Sequence, residues 1–196
     1  GQLYKVPTKI AKITSLEYIS KLEHLKTGLH IDFIINPVQL VTDYLHDLLE
    51  YPDVLEVINF SDNLLKMVSL KVEQESRLVN NHLSVLKERL PDISAKIVAI
   101  YREHKAVKLS NNTLIRANDE IFIISKQNEL LQVMSVFHRL HSKGNNIMIA
   151  GGGKIGLSLA KKIEKNCKVK IIEKNNQRLN ELSIELSSST ILSGDV

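Results

Sequence analysis

Three glycines spaced G-x-G-x-x-G, namely Gly151, Gly153 and Gly156, follow the apolar run NIMIA (146–150) and open a stretch that reads as a helix over 153–165. Alone the spacing is a weak signal, since loops supply it by chance; its place between a strand and a helix is what gives it weight. The first glycine permits a tight strand-to-helix turn, the second lets backbone approach a pyrophosphate, and the third lets the helix pack on the strand. The helix N-terminus then points free N–H groups at an anion. A second run, KVKII (168–172), a helical stretch over 175–187 and a third run opening at 190–192 continue the alternation. Such alternation implies βαβ units, right-handed crossovers and a parallel sheet.

Glu173 closes the second strand 22 residues past Gly151. A carboxylate there accepts hydrogen bonds from ribose hydroxyls and repels a 2′-phosphate, which favours NAD(H) over NADP(H). Neighbouring Lys174 and Arg178 soften that preference. The competing reading is a glycine-rich turn with a structural role alone. Charge distribution bears on the choice. Residues 1–141 carry 17 basic and 17 acidic side chains, residues 142–180 nine and two, and residues 181–196 none and three. The basic excess coincides with the glycines, which suits a phosphate-bearing ligand. A nucleic-acid partner is disfavoured, because aromatic residues make up only 5%, there is no Trp, and the basic residues are not interleaved with Phe or Tyr.

Upstream the periodicity differs. TKIAKIT (8–14) reads as a strand, residues 15–25 as a short helix and 30–35 as a second apolar run. Asn36 before Pro37 marks a helix start, and Pro52 stops that helix. Val41, Tyr44, Leu45, Leu48 and Leu49 are expected to form its buried face. Asp43, Asp47 and Glu50 lie opposite; such carboxylates could serve a metal, but with no water-excluding context visible they read as a solvated face. Strands follow at 55–60 and 65–72, a helix at 78–90, strands at 96–101, 106–109, 113–115 and 120–124, and a helix at 128–141 with Leu130, Val133, Met134, Phe137 and Leu140 inward. The order ββαββββα describes a compact α+β lobe. A polar linker at 142–145 separates it from the glycine motif.

Other chemistry is poorly supported. One cysteine, Cys167, excludes an intramolecular disulfide and a Cys-rich metal site, and reads as a loop thiol in a reducing compartment. No run of about 18 apolar residues occurs, so no bilayer-spanning segment is expected. His138 and His141 lie on one helical face but lack a third ligand at fitting spacing, so they read as helix-end histidines rather than metal ligands. No G-x-S-x-G, H-E-x-x-H or Walker pattern argues for catalysis. The chain starts at Gly1 and stops within a pattern at Val196, which suggests a fragment.

The runs IDFIINPVQLVTDYLHDLLEYPDVLEVINF, LSVLKERLPDISAKIVAIYREHKAVKL, TLIRANDEIFIIS and NNIMIAGGGKIGLSLAKKIEK, followed by IIEKN and a final GD, resemble over nearly the whole chain the tandem RCK (also called KTN) family of regulatory subunits of bacterial potassium-uptake systems. The resemblance implies a fold with an α+β RCK C-terminal lobe flanked by partial Rossmann-like parallel-sheet segments. Residues 1–52 would end a first Rossmann lobe with its crossover helix, 53–141 would form the C-terminal lobe, and 146–196 would begin a second Rossmann lobe. It further implies a non-enzymatic, cytosolic, homo-oligomeric subunit, a dimer or tetrameric ring, that binds NAD(H) or ATP/ADP and gates a potassium-translocating membrane protein. On the family pattern Gly151, Gly153, Lys154, Ile155 and Gly156 would cradle phosphates, Glu173 and Lys174 would meet the ribose, and Asp195 with Gly194 would border the adenine. The helix from Pro37 to Glu50 would contribute to dimer contacts. Asn80, Ala106, Leu109 and Asn118 depart from the glycines and prolines common at those places; Asn tolerates left-handed backbone, so the turns at Asn80 and Asn118 are expected to persist. No small-molecule site is expected on the C-terminal lobe. Two other readings stand beside this one: the cofactor-binding part of an NAD-dependent dehydrogenase, and the cytosolic tail of a multi-spanning ion transporter.

Overall fold

The computed structural model describes residues 6–14, 30–51, 53–60, 64–137 and 145–195. The chain divides into two units, one of residues 1–46 with 145–196 and the other of 47–144. The helix expected at 15–25 lies outside the described residues.

In the first unit, β1 (Ile10–Lys12) and β2 (Phe33–Ile35) pair in parallel, Ile10 opposite Phe33. Next comes α1 (Pro37–Glu50), whose start is fixed by local chemistry: Asn36 Oδ1 accepts the Gln39 N–H at 3.2 Å. Residues 37–46 of this helix belong to the first unit, and 47–50 to the second. A second parallel sheet follows, with β8 (Asn146–Ala150), α4 (Lys154–Ile163), β9 (Lys168–Glu173), α5 (Asn176–Glu185) and β10 (Thr190–Ser193) in strand order β10–β9–β8. The ladder runs in strict register, Ile149 opposite Ile171 and Ile191 opposite Ile171 from the other side. Alternation sends Val169 and Ile171 inward, where Leu157, Ala160, Ile163 and Leu182 of the two helices cover them. Leu45 of α1 packs on the same core. Each large aliphatic side chain fully buried there contributes about 1.5–3 kcal/mol.

The second unit is an antiparallel sheet of order β3–β4–β7–β5–β6, built from β3 (Val54–Phe60), β4 (Leu65–Lys71), β5 (Ala95–Arg102), β6 (Lys105–Ala106) and β7 (Glu120–Lys126). A short helix α2 (Val85–Arg89) precedes β5, and a 3₁₀ turn at Gln127–Glu129 leads into α3 (Leu130–Phe137). Leu130, Val133, Met134 and Phe137 of α3 complete a core with Val57, Val68, Leu70, Ile100, Ile121 and Ile123. The apolar period expected for this helix is therefore correct as far as Phe137; residues 138–144, with His138, Leu140 and His141, lie outside the described part.

Several expectations need correction. The helix predicted at 78–90 is turns until Val85. Backbone donors of that segment go to a neighbouring strand-like stretch instead: Asn80 N–H to Ile115 at 2.8 Å and Leu83 N–H to Thr113 at 3.0 Å. Asn80 adopts φ 63° and Asn118 φ 67°, the left-handed geometry expected of both. The strand predicted at 113–115 is an isolated bridge, Leu114 to His82, and that at 106–109 shrinks to β6. On α1, Val41, Tyr44 and Leu49 are exposed rather than buried, while Thr42 and Asp47 are buried. The solvated-carboxylate reading fails at Asp47 because its partner Lys66 sits on β4, 2.9 Å away and itself buried.

Candidate glycine-loop site

β8 runs straight into the glycine loop. Gly151 takes φ +96°, a left-handed value that disfavours any side chain, and its N–H closes the last rung of the parallel ladder on Ile172 O at 2.8 Å. A Cβ on Gly156 would stand 2.2 Å from the Gly151 carbonyl oxygen and 3.2 Å from Ile149 Cγ2. The start of α4 thus lies against the turn as closely as backbone allows. Gly153 differs: it is the N-cap of α4, with extended backbone, and an added Cβ would meet nothing within 4 Å. Among the described residues nothing fills that space. Gly151, Gly153, Lys154 and Ile155 are exposed around it, whereas Gly152 is buried.

Gly152 is the residue that pattern reading passed over. A Cβ on it would lie 2.3 Å from Leu182 Cδ1 of α5. Both its backbone groups are held by the segment after β9. Its N–H donates to Glu173 Oε2 at 2.8 Å, and its carbonyl accepts from Arg178 Nε at 2.7 Å.

Glu173 ends β9 and takes two further backbone donors, Lys174 N–H and Asn175 N–H, each at 2.9 Å to Oε1. The Asn175 and Gly152 N–H groups, with Lys174 N–H and the Arg178 charge behind them, hold its carboxyl below the usual carboxylate value against the cost of desolvation. It is ionised at neutral pH. Each carboxylate oxygen has two acceptor positions, so Oε2, engaged once, can take one more donor. Asn175 caps α5, its Oδ1 accepting Arg178 N–H at 3.1 Å, and the guanidinium Nη1 pairs with Glu181.

The other predicted site residues fall around this core. Lys174 Nζ lies 3.5 Å from Asp195 Oδ1, both side chains well exposed, so the pair spans the ends of β9 and β10 without rigidity. Gly194 N–H donates to Glu173 O at 3.1 Å. Gly151, Gly153, Lys154, Ile155, Gly156, Glu173, Lys174 and Asp195 all lie at the carboxyl end of this parallel sheet or on the first turn that follows it, where open α/β sheets bind ligands. The local basic excess is partly neutralised: Lys161 pairs with Glu185 and Lys162 with Asp43. Glu164 was not singled out by sequence; it accepts from Ser187 N–H, Ser188 N–H and Ser189 Oγ and so fixes the α5–β10 turn. Cys167 is half-buried against the sheet core.

Comparison with known proteins gives these features a context. Residues 67–138 match the TrkA-C domain family and residues 147–196 the TrkA-N domain family. The Trk system potassium uptake protein TrkA of Vibrio alginolyticus is 40% identical over 195 residues, 98% of this chain and 43% of that one. The proteins of the same name from Halomonas elongata and Haemophilus influenzae are 34% and 33% identical, each over 98% of this chain and 42% and 43% of theirs. The chain therefore spans less than half the length of these relatives.

Proposed function

Since the chain belongs to the TrkA family, we propose that it is the central portion of a nucleotide-sensing regulatory subunit of a potassium-uptake system. In this reading residues 1–52 end a first Rossmann lobe, 53–141 are the C-terminal lobe of the first RCK unit, and 146–196 begin a second Rossmann lobe. The nucleotide is NAD(H), with ATP/ADP as the alternative. One observation carries the reading: the side-chain-free space beside Gly153, at an uncapped helix N-terminus, lies next to an ionised carboxylate with one acceptor position left.

The residues present fit such a ligand. N–H groups of Gly153, Lys154 and Ile155, augmented by the α4 dipole, offer a binding site for phosphate oxygens. Lys154 adds a mobile cation beside them. Glu173 Oε2 would accept one ribose hydroxyl, and Lys174 and Asp195 would border the ribose and the adenine. No side chain here is assigned a catalytic role, and the subunit acts by binding alone.

Mechanistically, ligand must favour one arrangement of the subunits over another, and about 1–3 kcal/mol per site is typical coupling. The partner in this reading is a potassium-translocating membrane subunit of TrkH/TrkG type, and the subunit assembles with copies of itself as a dimer or tetrameric ring. Among the described residues no helix is long and apolar enough to cross a membrane. The reading itself places the subunit peripherally on the cytoplasmic face, without direct insertion. The reading includes no nucleic-acid partner.

Calorimetric titration of the protein with NAD⁺, NADH and ATP tests the reading, with Glu173→Ala as control. Selective binding that weakens in the variant supports it, and absence of binding in the parent protein sinks it. Potassium flux that ignores both subunit and nucleotide would remove the gating role.

A further inference from the structure

Three consecutive glycines are the least self-ordering backbone a chain can contain, and fixing each costs about 1–2 kcal/mol of conformational entropy. Gly151–Gly153 must nonetheless hold one shape if their N–H groups are to meet phosphate. Two side chains from the β9–α5 segment supply the order. Glu173 takes the N–H of the Gly151–Gly152 peptide, and Arg178 Nε takes the carbonyl of the Gly152–Gly153 peptide at 2.7 Å. The peptide group is planar and trans, so the Gly153 N–H points opposite to the Gly152 carbonyl. Holding that carbonyl therefore sets the direction of the Gly153 N–H, away from Arg178 and toward the side where an added Cβ finds nothing within 4 Å.

We propose that Arg178 is a positioning residue for phosphate binding, acting through the Gly152–Gly153 peptide rather than by touching the ligand. The inference rests on the nucleotide-binding reading. Arg178 suits the task because its side chain is largely covered and its fork is engaged at both ends, Nε on Gly152 O and Nη1 on Glu181. A lysine at this place carries the charge but cannot bridge two acceptors in fixed geometry. Asn175 places the arginine by capping the first turn of α5.

The experiment compares the parent protein with Arg178→Ala and Arg178→Lys by titration with NAD⁺, NADP⁺ and adenosine. A hydrogen bond from a charged donor is lost, so Arg178→Ala is expected to weaken NAD⁺ by about tenfold or more. Adenosine, which carries no phosphate, should change by less than about twofold, and lysine should restore only part of the loss. Three outcomes overturn the proposal. Unchanged NAD⁺ affinity would show that the clamp does nothing, full rescue by lysine would mean that charge alone matters, and a larger loss for NADP⁺ than for NAD⁺ would make Arg178 a direct 2′-phosphate ligand. Amide hydrogen exchange in ligand-free protein separates this inference from the nucleotide reading. Faster exchange at Gly152, whose N–H is bonded to Glu173, in Arg178→Ala supports the clamp whatever binds, and unchanged exchange there refutes it. A parent protein that binds no nucleotide refutes the nucleotide reading and, with it, the role in phosphate binding.

Discussion

Lys66 Nζ lies 2.9 Å from Asp47 Oδ1, joining the last turn of α1 to the second strand of the antiparallel sheet, with the lysine only 2% exposed. Asn59 Nδ2 donates to the other carboxylate oxygen at 2.7 Å, and the ammonium stands 5.4 Å from the centre of the Tyr51 ring. The Asp47 carboxylate thus has a donor for each oxygen, and the ammonium has a counter-ion and an aromatic face in place of water.

Removing one member should therefore cost far more than removing both. Asp47→Ala leaves a buried ammonium without its counter-ion and is expected to destabilise the protein by about 3–5 kcal/mol, whereas Asp47→Leu combined with Lys66→Met should come within about 1 kcal/mol of the parent. Chemical denaturation of the three proteins gives the comparison. A single change as mild as the double one would mean that the pair is solvated.

Burial first, and then the charges of Glu50 and Asp47, push the Tyr51 phenol up from 10 to about 12. A phenol held neutral in the folded state and free to ionise in the unfolded one contributes stability that is complete below pH 10 and is lost as the pH rises toward 12. Alkaline titration followed by ultraviolet absorbance should show the Tyr51 phenol ionising late, together with unfolding, and Tyr51→Phe should remove that step.

For Glu173 the sign is opposite. Its folded value is depressed, so its contribution is present above the ordinary carboxylate value of 4.5 and disappears as the pH falls through the lower folded value. A side-chain carboxyl titration by NMR should place Glu173 below 4.5. The order of the glycine loop, read from amide exchange at Gly152, should survive down to pH 4.5 and fail only below it.

Gly156 and Gly153 should answer differently to the same substitution. Gly156→Ala drives a Cβ into the Gly151 carbonyl and is expected to cost about 1–3 kcal/mol of stability, as overpacking does. Gly153→Ala meets nothing within 4 Å and keeps an ordinary extended backbone, so the melting temperature should stay within a degree or two of the parent, roughly what about 0.5 kcal/mol would produce. If nucleotide occupies that space, Gly153→Ala nevertheless loses affinity. Binding that is indifferent to it would argue against the nucleotide reading.

What could be read from sequence was what is decided locally. The cap at Asn36, the left-handed turns at Asn80 and Asn118, and the glycine loop at the end of a strand each depend on a handful of adjacent residues. Asp47 was misjudged because its surroundings are set by Lys66, 19 residues away, and by the register that places Lys66 on the inner side of β4. The segment at 78–84 has helical spacing, yet donors at Asn80 and Leu83 find carbonyls thirty or more residues on, at Ile115 and Thr113. Tertiary pairing overrode the period there. The part played by Arg178 was hidden for the same reason: its acceptor, Gly152, precedes it by 26 residues.

Residues 47–144 make one unit from an uninterrupted stretch of chain, whereas the other unit joins 1–46 to 145–196. During synthesis the middle can complete its core as soon as α3 has left the ribosome. The unit that joins 1–46 to 145–196 cannot be complete until β8 to β10 have been translated. Leu45 meets Leu157 and Ile171 only then. The interrupted unit is thus finished after the uninterrupted one, and a stop after residue 144 would leave the 47–144 lobe whole but Leu45 without the side chains that cover it.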